Sequence, residues 1–224
     1  MAKRKSKNSW TPLQIITHLG ALFPLAWLAW DFWQGQTALL INPFQEATLR
    51  TGEAAIILLM LSLACTPINI LFGFKQVLPL RKPLGNYAFM YAAIHFAIFI
   101  VDNGLVSNSL DLWAVYEATF EKRFALVGFA AFVILLALAL TSNQWSMRTL
   151  RKNWKRLHRF VYAAGIFAVI HFVWLVKSDI REPLIYGALL TLMLALRIPA
   201  VRKWVVNTRQ NLTQGRQATA NSSS

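Results

Sequence analysis

The sequence is short of cysteine and of charged residues. Its 224 residues include one cysteine, Cys65, which lies within an apolar run and has no partner for a disulfide. One thiol is also too few for a cysteine-rich iron–sulfur cluster or zinc site. These residues contain no G-x-G-x-x-G segment, so they encode no dinucleotide-binding domain of the usual kind.

The low charge indicates that lipid is the solvent of this chain. Charged residues make up 14% of the sequence and hydrophobic residues 56%, and the mean hydropathy is +0.44. A net charge of +14 would suit nucleic-acid binding, but the basic residues cluster between long apolar runs. Loops beside an anionic membrane surface carry such clusters. We therefore expect membrane lipid, and no nucleic acid, as a partner.

Six apolar runs approach the twenty residues that cross ~30 Å of hydrocarbon at ~1.5 Å per residue. They cover residues 13–33, 53–72, 86–101, 124–141, 157–176 and 183–199. The sequence thus predicts an all-α bundle of six transmembrane helices over residues 13–200. A basic arm at 1–12 precedes it, and a polar tail at 201–224 is predicted to be disordered. We find no convincing internal repeat in the sequence.

The distribution of charge predicts how the bundle is oriented. Of the 23 lysines and arginines, 18 fall in the arm, the second and fourth connections and the tail, which we call the basic side. The other five, and all nine acidic residues, fall on the opposite side, which we call the acidic side. The positive-inside rule places the basic side, with both termini, in the cytoplasm of an inner-membrane protein. No small-residue cleavage site follows the first run, so we expect it to be a retained helix.

All four histidines, His18, His95, His158 and His171, lie in or beside the apolar runs. An imidazole without a partner in hydrocarbon is costly, so each histidine is a candidate functional residue. Counted from the basic side, His95 lies about 18 Å along the third helix and His171 about 21 Å along the fifth. Two imidazoles at one depth can fill both axial positions of a haem iron, which favours electron transfer. The alternative is that each one hydrogen-bonds a neighbouring helix.

The other two histidines suit a second haem less directly. His158 lies about 20 Å before His171 on the same helix, and a straight helix would leave the two side chains about 220° apart. It is a candidate ligand nearer the basic side, or an interfacial residue that contacts lipid phosphate or a partner. His18 could complete a second iron with His158, or be a hydrogen-bonded core residue. The sequence has no C-x-x-C-H signature, so any haem is held without covalent links.

Six basic residues lie around the start of the fifth predicted helix. They predict a loop on the cytoplasmic side, and they could also bind haem propionates, a flavin phosphate or an acidic electron donor. These residues are Arg148, Arg151, Lys152, Lys155, Arg156 and Arg159.

An ordered series of short motifs carries a family resemblance over about residues 11–197. The series resembles MsrQ, formerly YedZ, a family of haem-binding membrane subunits of the bacterial periplasmic methionine-sulfoxide reductase system, which belongs with the ferric-reductase-like transmembrane domains. The motifs are Thr66-Pro67, Arg81-Lys82-Pro83-Leu84-Gly85, Tyr91-Ala92-Ala93-Ile94-His95-Phe96, Thr141-Ser142, Trp154-Lys155-Arg156-Leu157-His158-Arg159-Phe160-Val161-Tyr162, His171-Phe172-Val173-Trp174 and Glu182-Pro183-Leu184-Ile185-Tyr186.

The resemblance implies b-type haem, one or two per chain, held between the third and fifth helices. It implies His95 and His171 as ligands and His158 as a further haem-associated residue. It also implies a periplasmic partner, the molybdopterin enzyme MsrP, which reduces methionine sulfoxide in damaged proteins. Electrons would come from the respiratory quinone pool or a cytosolic flavin reductase, and FMN is linked to the family. The chain itself would be a non-catalytic electron-transfer subunit.

Three other classes remain as alternatives. The first is a membrane ferric reductase or a quinol-linked b-type cytochrome of another system. A ferric or superoxide-forming reductase of the oxidase kind would usually carry a flavin and nicotinamide domain, which these residues do not encode. A proton-coupled transporter would use intramembrane histidines as relays, but no acidic or basic residue lies convincingly at mid-membrane. In a purely structural assembly subunit the histidines would be incidental.

Overall fold

The long apolar runs form long helices. The computed structural model describes residues 11–36, 41–106, 109–176 and 179–222. Most of the predicted basic arm, and Lys177 of the charge count, lie outside these ranges. The helices are α1 (Pro12–Trp33), α2 (Pro43–Phe72), α3 (Arg81–Gly104), α4 (Leu112–Phe120), α5 (Arg123–Leu140), α6 (Gln144–Leu150), α7 (Lys152–Leu157), α8 (Val161–Leu175), α9 (Arg181–Ala195) and α10 (Pro199–Ser222).

Short elements connect the long helices. The 3₁₀ helices Lys75–Leu80 and His158–Phe160 lead directly into α3 and α8. After α3, strand β1 (Leu105–Val106) pairs with strand β2 (Ser109–Leu110) in an antiparallel hairpin. The predicted all-α architecture is confirmed, with these two short strands as its addition.

Five segments of the described residues are long and apolar enough to cross a membrane. They are Pro12–Trp33, Pro43–Phe72, Lys75–Gly104, Arg123–Leu140 and Lys152–Leu175. A sixth span requires the pair Arg181–Ala195 and Pro199–Asn211, whose axes are bent by 80°. The bend precedes Pro199, and a residue before proline is disfavoured in helical conformation. The six predicted runs therefore correspond to five spanning segments and one bent pair.

Two antiparallel helix pairs form the frame of the bundle. The start of α2 contacts the end of α3, and Ser62 near the end of α2 bonds Arg81 at the start of α3. The pair of α5 and α8 is arranged in the same way. Helix α1 packs against α2 and α3, and α9 packs against α8. The most buried residues, including Ala88 of α3 and Ala164 of α8 at 0% exposure, lie where these helices meet.

Proline interrupts two of the spanning helices, and a polar side chain repairs each interruption. Pro24 lies inside α1, where its ring opens the preceding turn. The hydroxyl of the buried Tyr91 accepts a hydrogen bond from Leu25 N–H at 3.0 Å and donates one to the Ala21 carbonyl at 2.8 Å. It thus bridges the two groups that a regular helix would pair directly.

The second repair uses an arginine. Pro67 lies inside α2 and has no N–H, so the Leu63 carbonyl one turn earlier loses its helical donor. The Arg197 guanidinium, just after α9, donates to the Leu63 carbonyl and to the Tyr162 hydroxyl. It also lies over the Tyr162 ring, 4.7 Å from its centre. In lipid, where no water can replace the missing donor, this contact stabilises the bent end of α2.

The tail differs from the disordered segment predicted at 201–224, because α10 extends from Pro199 to Ser222. Val201, Val205 and Arg209 are half-buried at a spacing of four residues, so one face of this helix lies against the bundle. Arg209 donates to the carbonyls of Asn69 and Ile70 at 3.0 and 2.9 Å, which are end groups of α2. The polar composition hid this helical pattern.

The Arg197 contact predicts a coupling with Pro67. We expect Arg197→Ala to lower the free energy of unfolding by about 2 kcal/mol, because a charge-assisted hydrogen bond to an otherwise unpaired carbonyl is lost. In a Pro67→Ala background the loss should be clearly smaller, because residue 67 then supplies its own N–H to Leu63. Thermal unfolding in detergent, followed by tryptophan fluorescence, measures both.

The exposed Arg202 provides the matched control, since Arg202→Ala removes a charge that lies at the surface. Equal losses from Arg197→Ala in the two backgrounds would show that Arg197 does not replace the donor removed by Pro67.

Candidate functional site

The structure brings His95 of α3 and His171 of α8 together. Their ring centres are 6.1 Å apart and their ring planes are nearly perpendicular, at 87°. Two imidazoles that share one metal ion, each with a bond of ~2 Å, have ring centres about 6 Å apart. The pair that matched in depth along the sequence therefore also has the spacing of two axial ligands.

A backbone carbonyl fixes the orientation of each ring. Nδ1 of His95 lies 2.9 Å from the Thr48 carbonyl oxygen, and Nδ1 of His171 lies 2.7 Å from that of Phe124. A carbonyl only accepts hydrogen bonds, so Nδ1 carries the proton in both rings. The lone pair is then on Nε2. Histidines that bind a metal through Nε2 adopt this tautomer when a carbonyl accepts the hydrogen bond from Nδ1–H.

Both histidines line one cavity of about 320 Å³ between α2, α3, α5 and α8. Its walls are largely apolar and include Phe96, Phe129 and Phe132. Among the described residues, no group of three or more histidines, cysteines or acidic residues could hold a metal ion. Two axial imidazoles over an apolar cavity instead fit a planar macrocycle that brings its own four nitrogen ligands.

The cavity lies toward the acidic side of the bundle. Thr48 is near the start of α2, and Phe124 is the second residue of α5. His171 is four residues from the end of α8, which corresponds to about 6 Å. Two carboxylic residues, Glu53 and Glu182, complete the lining. A group bound here would be much closer to the acidic surface than to the basic one.

His158 lies at the opposite end of the same helical segment. Its ring stacks on Trp154 with centres 4.0 Å apart, and Nε2 is 3.2 Å from the Thr141 hydroxyl. Trp154 in turn donates from Nε1 to the Thr141 carbonyl at 2.9 Å. The 3₁₀ turn His158–Phe160 interrupts the helix, so the angle predicted for a straight helix does not apply.

His18 of α1 contacts α3. Its Nδ1 lies 2.9 Å from the Tyr87 hydroxyl, and the two rings meet edge to face. Tyr87, Tyr91 and His95 follow one another at a spacing of four on α3, so one face of α3 contacts both α1 and α2. This contact agrees with the core alternative for His18 and leaves its role as a ligand untested.

The basic cluster before α8 is at the surface. All six of its lysines and arginines are exposed, on helices α6 and α7 and around the 3₁₀ turn. Arg151 between α6 and α7 has a φ of 46°, which turns the chain sharply there. The cluster is therefore available to lipid or to a partner.

The sequence did not reveal the Thr48 and Phe124 carbonyls that orient the two histidines. It also did not reveal that the two helix pairs share a short repeated pattern. In both helix pairs a histidine bonds the carbonyl 47 residues earlier. Shifting the first pair by 76 residues places Thr48 on Phe124, Gly52 on Gly128 and His95 on His171. Each histidine is also within an Ile-His-Phe tripeptide, a short signal that a search for longer identities overlooks.

Comparison with known proteins identifies similar chains. Residues 51–169 match the family described as "Ferric reductase like transmembrane component". A protein of Xanthomonas axonopodis pv. citri is 42% identical over 87% of this chain and 89% of its own length. A protein of Bordetella pertussis is 39% identical over 81% of this chain and 91% of its own length. Both are named "Protein-methionine-sulfoxide reductase heme-binding subunit MsrQ". No solved structure matches the chain.

Proposed function

Because the chain belongs to the ferric-reductase-like transmembrane components and, among them, to the heme-binding MsrQ subunits, we propose that it carries b-type haem between His95 and His171. It is a multi-pass bacterial membrane protein that serves electron transfer in a methionine-sulfoxide reductase system. The observation that carries the proposal is the pair of imidazoles 6.1 Å apart, each with Nδ1 held by a carbonyl.

The roles of the chain's own residues follow from that arrangement. His95 and His171 would hold haem through Nε2, and the carbonyls of Thr48 and Phe124 keep their rings from rotating. The apolar walls exclude water. Haem bound there would supply one-electron chemistry.

The reduction of methionine sulfoxide is assigned to a partner. Converting one sulfoxide to methionine and water needs two electrons and two protons, so the electrons are delivered one after the other. The one thiol of this chain, Cys65, is 3% exposed and bonds the Leu61 carbonyl, which does not suit a reactive group. The partner we propose is the periplasmic molybdopterin enzyme MsrP.

Electron flow runs from the basic to the acidic side in this proposal. The acidic side, where the cavity lies, faces the periplasm, and both termini are in the cytoplasm. The donor is the quinone pool of the inner membrane or a cytosolic flavin reductase, and the exposed basic cluster suits an acidic donor surface or the phosphate of FMN. A transporter is disfavoured because Nδ1 of each imidazole bonds a backbone carbonyl, whereas a proton relay would link it to carboxylates.

His158 and His18 are the candidates for a second haem nearer the basic side. His158 is about 20 Å from His171 along the helix. A second haem near His158 would let electrons from the cytosol cross this distance in two shorter steps. The helix-pair repeat places Lys82 at the position of His158. The first pair thus supplies no equivalent histidine, and His18 is the further imidazole in the chain.

The ligand pair predicts the optical spectrum. The detergent-purified protein, reduced with dithionite, should show sharp b-type bands, and His95→Ala or His171→Ala should remove the contribution of the haem at this site because one of its two ligands is lost. Added imidazole should restore part of the low-spin spectrum by entering the space of the missing ring. A colourless protein after expression with ample haem would contradict the proposed function.

The second haem predicts a change in stoichiometry. A pyridine haemochrome assay should give about two haems per chain, and His158→Ala should lower the ratio to about one while the spectrum of the His95–His171 haem remains. Thr141→Ala is the control, because it removes the contact to His158 Nε2 and leaves the imidazole in place. A wild-type ratio of about one would restrict the protein to one haem, and an unchanged ratio of about two in His158→Ala would exclude His158 as a ligand.

The orientation predicts which surface is open to a membrane-impermeant reagent. In a Cys65→Ala background, Glu121→Cys places a thiol on the acidic side and Lys152→Cys one on the basic side, both at exposed positions. On intact spheroplasts a charged maleimide should label the first variant alone, and it should label the second only after lysis. The reverse pattern would invert the proposed orientation.

A further inference from the structure

Two glycines face the two histidine rings. A Cβ atom at Gly52 of α2 would lie 3.0 Å from His95 Nδ1, and one at Gly128 of α5 would lie 2.7 Å from His171 Nδ1. Ordinary contacts of a Cβ atom are 3.4–4 Å. Each imidazole therefore lies against bare helix backbone, in space that any other residue would occupy.

Each glycine is one turn after the carbonyl that its histidine bonds. Thr48 precedes Gly52 by four residues, and Phe124 precedes Gly128 by four. In a helix the N–H of residue i+4 points at the carbonyl of residue i, so the imidazole Nδ1–H reaches this carbonyl from the side. In this position the imidazole occupies the space where a Cβ atom at the glycine would lie. The hydrogen bond and the missing side chain are thus two parts of one arrangement.

The arrangement occurs twice. The shift of 76 residues that aligns the histidines also aligns the acceptor carbonyls of Thr48 and Phe124, the two glycines and the fully buried Ala88 and Ala164. A single close contact could be incidental packing. Two copies, at equivalent places in two helix pairs that meet at one cavity, indicate a shared requirement of the site.

We infer that Gly52 and Gly128 are positioning residues that set the rotation of the two axial imidazoles. This inference rests on the proposed haem ligation. A methyl group at Gly128 turns the His171 ring away from its carbonyl, which breaks the Nδ1–H bond and moves Nε2 away from the opposite ring. A methyl group at Gly52 displaces the His95 ring by a few tenths of an ångström and lengthens its Nδ1–H bond. Loss of the Nδ1 bond also makes the imidazole a weaker donor to iron, which favours the ferrous state. The shorter contact at Gly128 makes this position the more sensitive of the two.

The test compares Gly52→Ala, Gly128→Ala and Gly187→Ala in the purified holoprotein. At Gly187 of α9 an added Cβ would meet Val169 at an ordinary 3.5 Å, so this variant controls for the exchange of glycine for alanine in a helix. Alanine is the better helix former, so a general destabilisation is not expected from the exchange itself. Haem content, carbon monoxide binding to the reduced protein and the midpoint potential are measured.

In Gly128→Ala we expect carbon monoxide to bind, because a weakened axial bond opens a coordination position, and the midpoint potential of the remaining haem to rise. Gly52→Ala should show the same changes to a smaller extent, and Gly187→Ala should match the wild type. Wild-type bands and potentials in both Gly52→Ala and Gly128→Ala would overturn the inference while the ligand pair stands. If Gly128→Ala does not fold, Gly52→Ala decides by the same criteria. A wild type without haem would instead refute the proposed function.

Discussion

A carbonyl group inside a lipid bilayer has no water to bond, and this constraint governs much of the structure. At three places where proline or a helix end disturbs the backbone hydrogen bonds, a side chain distant in sequence donates to a carbonyl. Tyr91 does so at Ala21 in α1, and Arg197 and Arg209 do so at Leu63 and Ile70 in α2. These contacts join helices that are distant in sequence, so the repair of local defects also holds the bundle together.

His95 and His171 also donate to backbone carbonyls of other helices. Each Nδ1–H bonds a helix carbonyl near the start of a neighbouring helix, so the ring has a partner even before a cofactor enters. The same bond selects the tautomer with its lone pair on Nε2. The two helix pairs then present two equivalent imidazoles, the proposed haem ligands, to one cavity. One hydrogen bond thus gives each buried imidazole a partner and leaves the lone pair of its Nε2 available.

Much of this was accessible from the sequence, because the bilayer imposes simple patterns. Run length predicted the spanning helices, and rise per residue brought His95 and His171 to one depth. The side-chain partners were not accessible, because the Thr48 and Phe124 carbonyls belong to backbone that any residue would provide. The polar tail concealed a helix, since the pattern Val201, Val205 and Arg209 is too sparse to show against glutamine and threonine. The repeat escaped because only a few positions in each helix pair touch the site.

The cavity lies closer to the acidic surface than to the basic one, so the larger part of the membrane voltage falls between the cavity and the basic surface. His171 is about 6 Å from one end of its helix and His158 is close to the other. In the proposed orientation, an electron arriving from the cytosol crosses most of the low-dielectric layer before it reaches the His95–His171 pair. Each elementary charge that crosses the whole layer exchanges about 2.3 kcal/mol per 100 mV with the field. The resting potential, negative inside, would therefore accelerate the filling of this site more than its discharge to the periplasm.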